Sequence, residues 1–183
     1  MSILRRRSGW LWVAAFAAAA WWAWPRVQPV LDRVFYGMRL AAMPAPKALP
    51  VPVAGVPANA LRDTWNAPRS GGRQHQGIDI FAPRGREVVS ATEGIVSRVG
   101  TNNLGGQVVW VMGPGRQMHY YAHLDRYGEI APGDRVTPGT VLGYVGNTGN
   151  ARGTPPHLHY GIYTPTGAIN PYPLLTARIA TSK

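Results

Sequence analysis

Residues 154–163 read TPPHLHYGIY, and within them His157 and His159 stand one residue apart in an apolar run with strand-like composition. In an extended chain, residues i and i+2 point to the same face, about 6.5–7 Å apart along the backbone. Two imidazoles so placed can reach one point in space, which a bland surface strand does not need and a metal site does. The surroundings have the same texture. From about Asn59 to Tyr172, short runs rich in Val, Ile, Thr and Tyr (GIDIFAP, EVVSATEGIVSRVG, QVVWVMGPG, QMHYYAHL, DRVTPGTVLGYVGNTG) alternate with Gly, Pro and Asn turns. Such spacing predicts an all-β domain over residues 59–183, an antiparallel β-sandwich or half-barrel. No solenoid-length repeat interrupts it.

The residues before this domain read differently. Arg5–Arg7 precede an uncharged run from Ser8 to Trp24, closed by Pro25. As a helix the run spans about 25 Å, slightly less than a bilayer core of about 30 Å. A secretory signal would use Ala18-x-Ala20 as its cleavage site. An uncleaved anchor would use Trp10 and Trp12 at one end, and Trp21, Trp22 and Trp24 at the other, as interfacial belts. The tryptophans favour a signal-anchor or transmembrane helix over residues 1–25, hence a single-pass inner-membrane protein. Both readings export everything after Pro25 to the periplasmic side. Residues 26–40 place Val27, Val30, Leu31, Val34, Phe35 and Met38 at helical spacing, predicting a juxtamembrane amphipathic segment. Residues 41–58 hold five prolines and no aromatic residue, predicting a semi-rigid linker that reaches roughly 50–55 Å.

Composition narrows the chemistry. The 183 residues carry a formal charge of +11, nearly all of it from arginine, since the only lysines are Lys47 and Lys183. Such a balance suits an anionic partner such as a phospholipid surface, nucleic acid or an acidic polymer. No nucleic-acid motif accompanies it, which sets nucleic acid aside. There is no cysteine, so a metal would have to be held by His, Asp and Glu. All five histidines, His75, His119, His123, His157 and His159, fall in the predicted β domain, and Asp79 follows His75 by four residues. Three protein ligands with a fourth position left open is the form of a catalytic zinc site. A lone histidine is more commonly structural, so spacing by itself leaves the ligand set open. Strand alternation places His119, Tyr121 and His123 on one face; Tyr120 and Tyr121 each fit core packing or a groove wall, with core favoured for Tyr120.

The stretches RQHQGIDIFAPRGREVVSATEGIVSRVG (73–100), YYAHL (120–124), GDRVTPGTVLGYVGNTGNARGTPPHLHYGIY (133–163) and AINPYPLL (168–175) together resemble the LytM/lysostaphin-type zinc endopeptidases, which cut peptide cross-links in bacterial cell walls. The resemblance runs from about Arg73 to Pro173. It implies that His75 and Asp79, of the H-x-x-x-D motif, and His159, second in H-x-H, bind one Zn²⁺ per chain. It further implies that His157 and His123 are the catalytic pair. The substrate would be peptidoglycan stem peptides or cross-bridges, with Tyr121, Asn102 and Asn147 as candidate substrate contacts. Pro155–Pro156 precede His157 where glycine-proline is common in the family.

Two other readings bear on function. DRVTPGTVLGYVG also suggests the lipoyl/biotinyl carrier barrels, but those need an acceptor lysine, and none lies between Lys47 and Lys183. A non-hydrolytic or autoinhibited LytM-like scaffold, which binds the wall and activates another hydrolase through a regulatory protein partner, is the alternative to an enzyme. The intact five-residue set weighs against it.

Overall fold

A computed structural model describes residues 4–177. The chain forms two compact units, Met1–Met38 and Arg39–Lys183. The first is a helix, α1 (Leu4–Ala42), whose last residues belong to the second unit. The helix does not stop at Pro25, because Pro25 and Pro29 both lie inside it. Each removes a backbone donor, at about 3 kcal/mol relative to alanine, while Ala17–Ala20 before them favour the helix. No helix among the described residues is long and apolar enough to cross a membrane, so the expected transmembrane anchor is not supported. The tryptophans that suggested a belt are the reason. Five of them lie between Ser8 and Trp24, and indole prefers the membrane interface to the hydrocarbon centre. The side chains of Arg5–Arg7 lie outside the described residues.

The second unit is the expected all-β domain. Its strands are β1 (Ile78–Phe81), β2 (Glu87–Val89), β3 (Gly94–Asn102), β4 (Gly106–Met112), β5 (Met118–Tyr127), β6 (Arg135–Val136), β7 (Val141–Val145), β8 (His157–Thr164) and β9 (Gly167–Ile169), followed by a short helix α2 (Tyr172–Thr176). The strand order is β1-β8-β5-β4-β3-β6, with β9 on β8 and the β2–β7 pair joined to β5. Every pairing is antiparallel.

Alternation gives the sheet two faces. Ile78 and Ile80 on β1, Leu158, Tyr160 and Ile162 on β8, and Tyr121 on β5 are fully or almost fully buried in the core. Asp79, His157, His159, Tyr163, Tyr120 and Ala122 line a cleft on the other side. His123 departs from the pattern. Its φ is +64°, and this left-handed turn resets the alternation in β5. Upstream, Ala122 pairs with His159 of β8; downstream, Leu124 pairs with Val145 of β7. His119 and Tyr121 therefore face the core while His123 faces the cleft.

Residues 43–58 are not a free linker either. Leu49 N–H donates to the Leu174 carbonyl (2.9 Å), Ala54 N–H to Glu87 (3.0 Å) and Val89 N–H to Pro52 (3.0 Å). Leu49 and Val53 are buried in the main core. The prolines hold this strap extended and sit where no N–H is required.

His119 is wholly buried. Its Nδ1 lies 2.7 Å from the Tyr160 hydroxyl, and its Nε2 has no partner. Burial pushes the ring down from 6.5 to about 4. The folded chain thus holds it neutral where the unfolded chain would protonate it. That stability is complete above pH 6.5 and is lost as pH falls toward 4. By linkage the loss is about 3 kcal/mol. His119→Gln should remove this share, so urea titrations at pH 7 and pH 4.5 should show a smaller difference in the variant than in the wild type. Equal differences would refute the assignment.

Candidate metal centre

The β1–β8 register sets Asp79 directly opposite His159. His75 reaches the same point from the segment before β1, which is held by Asn66 N–H donating to the His75 carbonyl (2.9 Å) and His75 N–H donating to Ala67 (3.0 Å). Between them Gly77 is obligatory. A Cβ there would lie 2.5 Å from the Tyr160 carbonyl oxygen and 2.7 Å from His159 Cε1.

Three donor atoms converge. His75 Nε2 is 2.8 Å from His159 Nδ1 and 3.1 Å from Asp79 Oδ1, and His159 Nδ1 is 3.2 Å from the same oxygen. His75 Nδ1 lies 2.7 Å from the Thr64 carbonyl. That carbonyl can only accept, so Nδ1 carries the proton and Nε2 presents a bare lone pair in the neutral ring. Lone pairs gathered this closely repel unless a proton or a cation sits among them. The triangle edges approach the ~3.3 Å that separates ligands of a tetrahedral zinc ion. The donor set therefore fits a metal ion.

Electrostatics agree with the geometry. Burial pushes the Asp79 carboxyl up, but hydrogen bonding and charge from His159 and His75 outweigh it and hold the group well below the usual carboxylate range. Burial pushes His159 down against the pull of Asp79. The second Asp79 oxygen accepts from Arg69, and Asp79 N–H donates to Thr64 Oγ1 (3.1 Å). Thr64 thus steadies two of the three donors.

His157 and His123 stand beside this cluster. His157 Nδ1 lies 2.8 Å from the Pro155 carbonyl, and its Nε2 is 3.9 Å from Asp79 Oδ1. His123 Nδ1 lies 2.9 Å from the Thr148 carbonyl. The two ring centroids are 5.0 Å apart. Burial first, then the charge of His159, push His123 down to about 4. Each ring thus has Nδ1 committed to a backbone carbonyl and Nε2 available to the cleft.

The structure brings His75, Asp79, His123, His157 and His159 together and treats the candidate substrate contacts unequally. Asn102 lines the cleft, donating to the Tyr120 hydroxyl (3.0 Å) and accepting from Gly105 N–H (2.6 Å). Tyr121 is buried on the opposite face, and Tyr120 takes the cleft position instead, because alternation puts even-numbered residues of β5 there until His123. Asn147 holds a loop, accepting from Arg84 and donating to the Thr154 carbonyl (3.0 Å). Thr64, Arg69 and Thr148 carry no motif and were not legible in the sequence. Tyr163 was legible in principle, four residues beyond His159 on the same strand face.

Comparisons with known proteins agree. Residues 73–171, more than half of the chain, match peptidase family M23, and the chain belongs to that family. It is similar to the L-Ala–D-Glu endopeptidase of Bacillus subtilis, 40% identical over 130 residues that cover 64% of this chain and 40% of that protein. It is also similar to the peptidoglycan DD-endopeptidase ShyC of Vibrio cholerae, 34% identical over 88 residues, 48% of this chain and 20% of that protein. The chain thus spans 40% or less of the length of these relatives. The solved catalytic domain of lysostaphin from Staphylococcus simulans is similar in fold, with a TM-score of 0.58 and 28% identity over 66% of this chain and 96% of that one.

Arg69→Met should leave Asp79 with one partner fewer and weaken metal binding about 10–100-fold, the usual effect of losing a group that holds a ligand. Competition with a chromophoric chelator measures this, and unchanged affinity would rule out a role for the Arg69 contact.

Proposed function

We propose that this member of family M23 is a zinc-dependent endopeptidase that hydrolyses peptide cross-links of bacterial peptidoglycan. The observation that carries the reading is the convergence of His75 Nε2, Asp79 Oδ1 and His159 Nδ1, no two more than 3.2 Å apart, with two further histidines at the edge. Two imidazoles and one carboxylate suit zinc better than calcium or magnesium, which prefer all-oxygen shells. When bound, zinc supplies a Lewis acid that polarises a carbonyl and brings the pKa of water toward about 7.

The chain's own groups do the proton work. With its Nδ1 proton donated to the Thr148 carbonyl, His123 presents a lone pair at Nε2, and its depressed pKa keeps the ring neutral, with that lone pair free, at neutral pH. His157, its Nδ1 on Pro155, faces Asp79 across the cleft mouth. One ring accepts a proton from the attacking water. The other hydrogen-bonds the oxyanion or protonates the leaving amine. A single carboxylate leaves the loaded centre at net +1, which favours the developing oxyanion. The substrate class also makes the extracytoplasmic side of the cell the domain's place of work.

The scaffold alternative predicts a damaged or blocked centre. All five side chains are present and open into one cleft of about 1070 Å³, which supports the enzyme. The test uses the full chain, its zinc content measured, mixed with isolated sacculi. Soluble peptide products identified by mass, abolished by chelator, are the expected result. His157→Ala and His123→Ala should each retain zinc and lose about 10²–10⁴-fold in turnover. Bound zinc with no released product would favour the scaffold.

A further inference from the structure

Beside the donor cluster, the floor of the cleft is aromatic. Trp110 on β4, Tyr120 on β5 and Tyr163 on β8 pack together, with Trp110 centred 4.3 Å from Tyr120 and 5.3 Å from Tyr163. The Tyr120 ring is 5.9 Å from that of His159, so the shelf begins one ring away from a proposed metal ligand. These side chains form a small cluster separate from the main core, resting on Val108 and Ala122. Aromatic cross-strand neighbours stabilise a sheet by about 0.2–1 kcal/mol per pair, which accounts for their adjacency. It does not account for the half-buried Trp110 and Tyr163 left lining a large cleft.

The strands beneath decide what the shelf can hold. At Tyr120, β5 is paired on one side with Trp110 of β4 and on the other with Gly161 of β8. No strand edge is free there, so the shelf itself offers an extended peptide no backbone pairing. Recognition falls to ring faces and polar tips: the phenol of Tyr120, the amide of Asn102 that donates to it, and the phenol of Tyr163. A pyranose has the matching chemistry, a flat C–H face edged by hydroxyl and amide groups.

We propose that Trp110 and Tyr163, backed by the buried Tyr120, form a glycan subsite that stacks an amino-sugar ring of the strand to which the stem peptide is attached. The proposal rests on the peptidoglycan reading above. It makes a peptide that still carries its sugar a better substrate than the same peptide alone, and identifies Trp110 as a residue that sets this preference.

The test compares a cross-linked muropeptide with the same peptide after amidase removal of its disaccharides, using the zinc-loaded full chain. The wild type should show about ten-fold higher kcat/KM for the sugar-bearing form. Trp110→Ala should bring the ratio near one, and Trp110→Phe should keep most of it. Should Trp110→Ala fail to fold, as judged by thermal unfolding, Tyr163→Ala takes its place. A wild-type ratio of one, or a preference that survives loss of the ring, overturns the subsite. If neither form is cut, the endopeptidase reading fails, and calorimetry with the same two ligands decides the subsite separately. Tighter binding of the sugar-bearing form, lost in the Ala variant, supports it, and equal or absent binding of the two overturns it.

Discussion

The pairing of β1 with β8 is the constraint on which the site depends. Asp79 lies directly across from His159, and neither could meet the other in any other register. A slip of β1 by one residue would turn Asp79 into the core, away from His159, and bring Ile78 and Ile80 out into the cleft. Burial of Ile78, Ile80, Leu158 and Ile162 therefore does more than stabilise the sheet, because the hydrophobic pattern fixes the chemistry by fixing the register. Gly77 is the second half of the same constraint. Its missing side chain lets the segment bearing His75 approach His159 closely enough for three donors to share one point.

Strain marks the other half of the site. Non-glycine residues rarely adopt positive φ, and when they do the surroundings must hold them. His123 is held by its N–H donating to the Gly105 carbonyl at 2.7 Å and by its ring on Thr148. Thr148 also binds the neighbouring strands, accepting from Gln107 N–H (3.0 Å) and donating to the Leu124 carbonyl (2.8 Å). Gly105 in turn leaves room for the Tyr120 hydroxyl, which a Cβ would meet at 2.0 Å. The departure of β5 from regularity thus aims one imidazole, and a small network around it bears the strain.

How much of this was legible in the sequence follows from what each feature rests on. The all-β class was legible because period-two alternation is local, whereas the grouping of His75, Asp79 and His159 with His123 and His157 came from the resemblance to a known family, since spacing by itself left the ligand set open. Tyr120 and Tyr121 were interchanged, because one left-handed residue downstream separates His123 from the face its numbering implies. Thr64 and Arg69 were missed because their contacts join segments that no spacing rule connects. The membrane expectation for the N-terminal region rested on composition: Trp reads as apolar in a run with Ala, yet its indole is amphipathic. The proline-rich segment misled as a free linker. Prolines announce an extended chain, but they do not say whether Leu49 and Val53 between them find a core.

That strap changes where the folding unit begins. Leu49 and Val53 sit among core residues, the backbone of 43–58 is stitched to β2 and to Leu174, and Leu40 is itself fully buried. A fragment cut at Asn59, where the strand texture starts, would lose these side chains and leave apolar cavities open to water. The compact β unit starts at Arg39, so fragments for crystallisation or labelling should keep the proline-rich segment as a structural part of the domain.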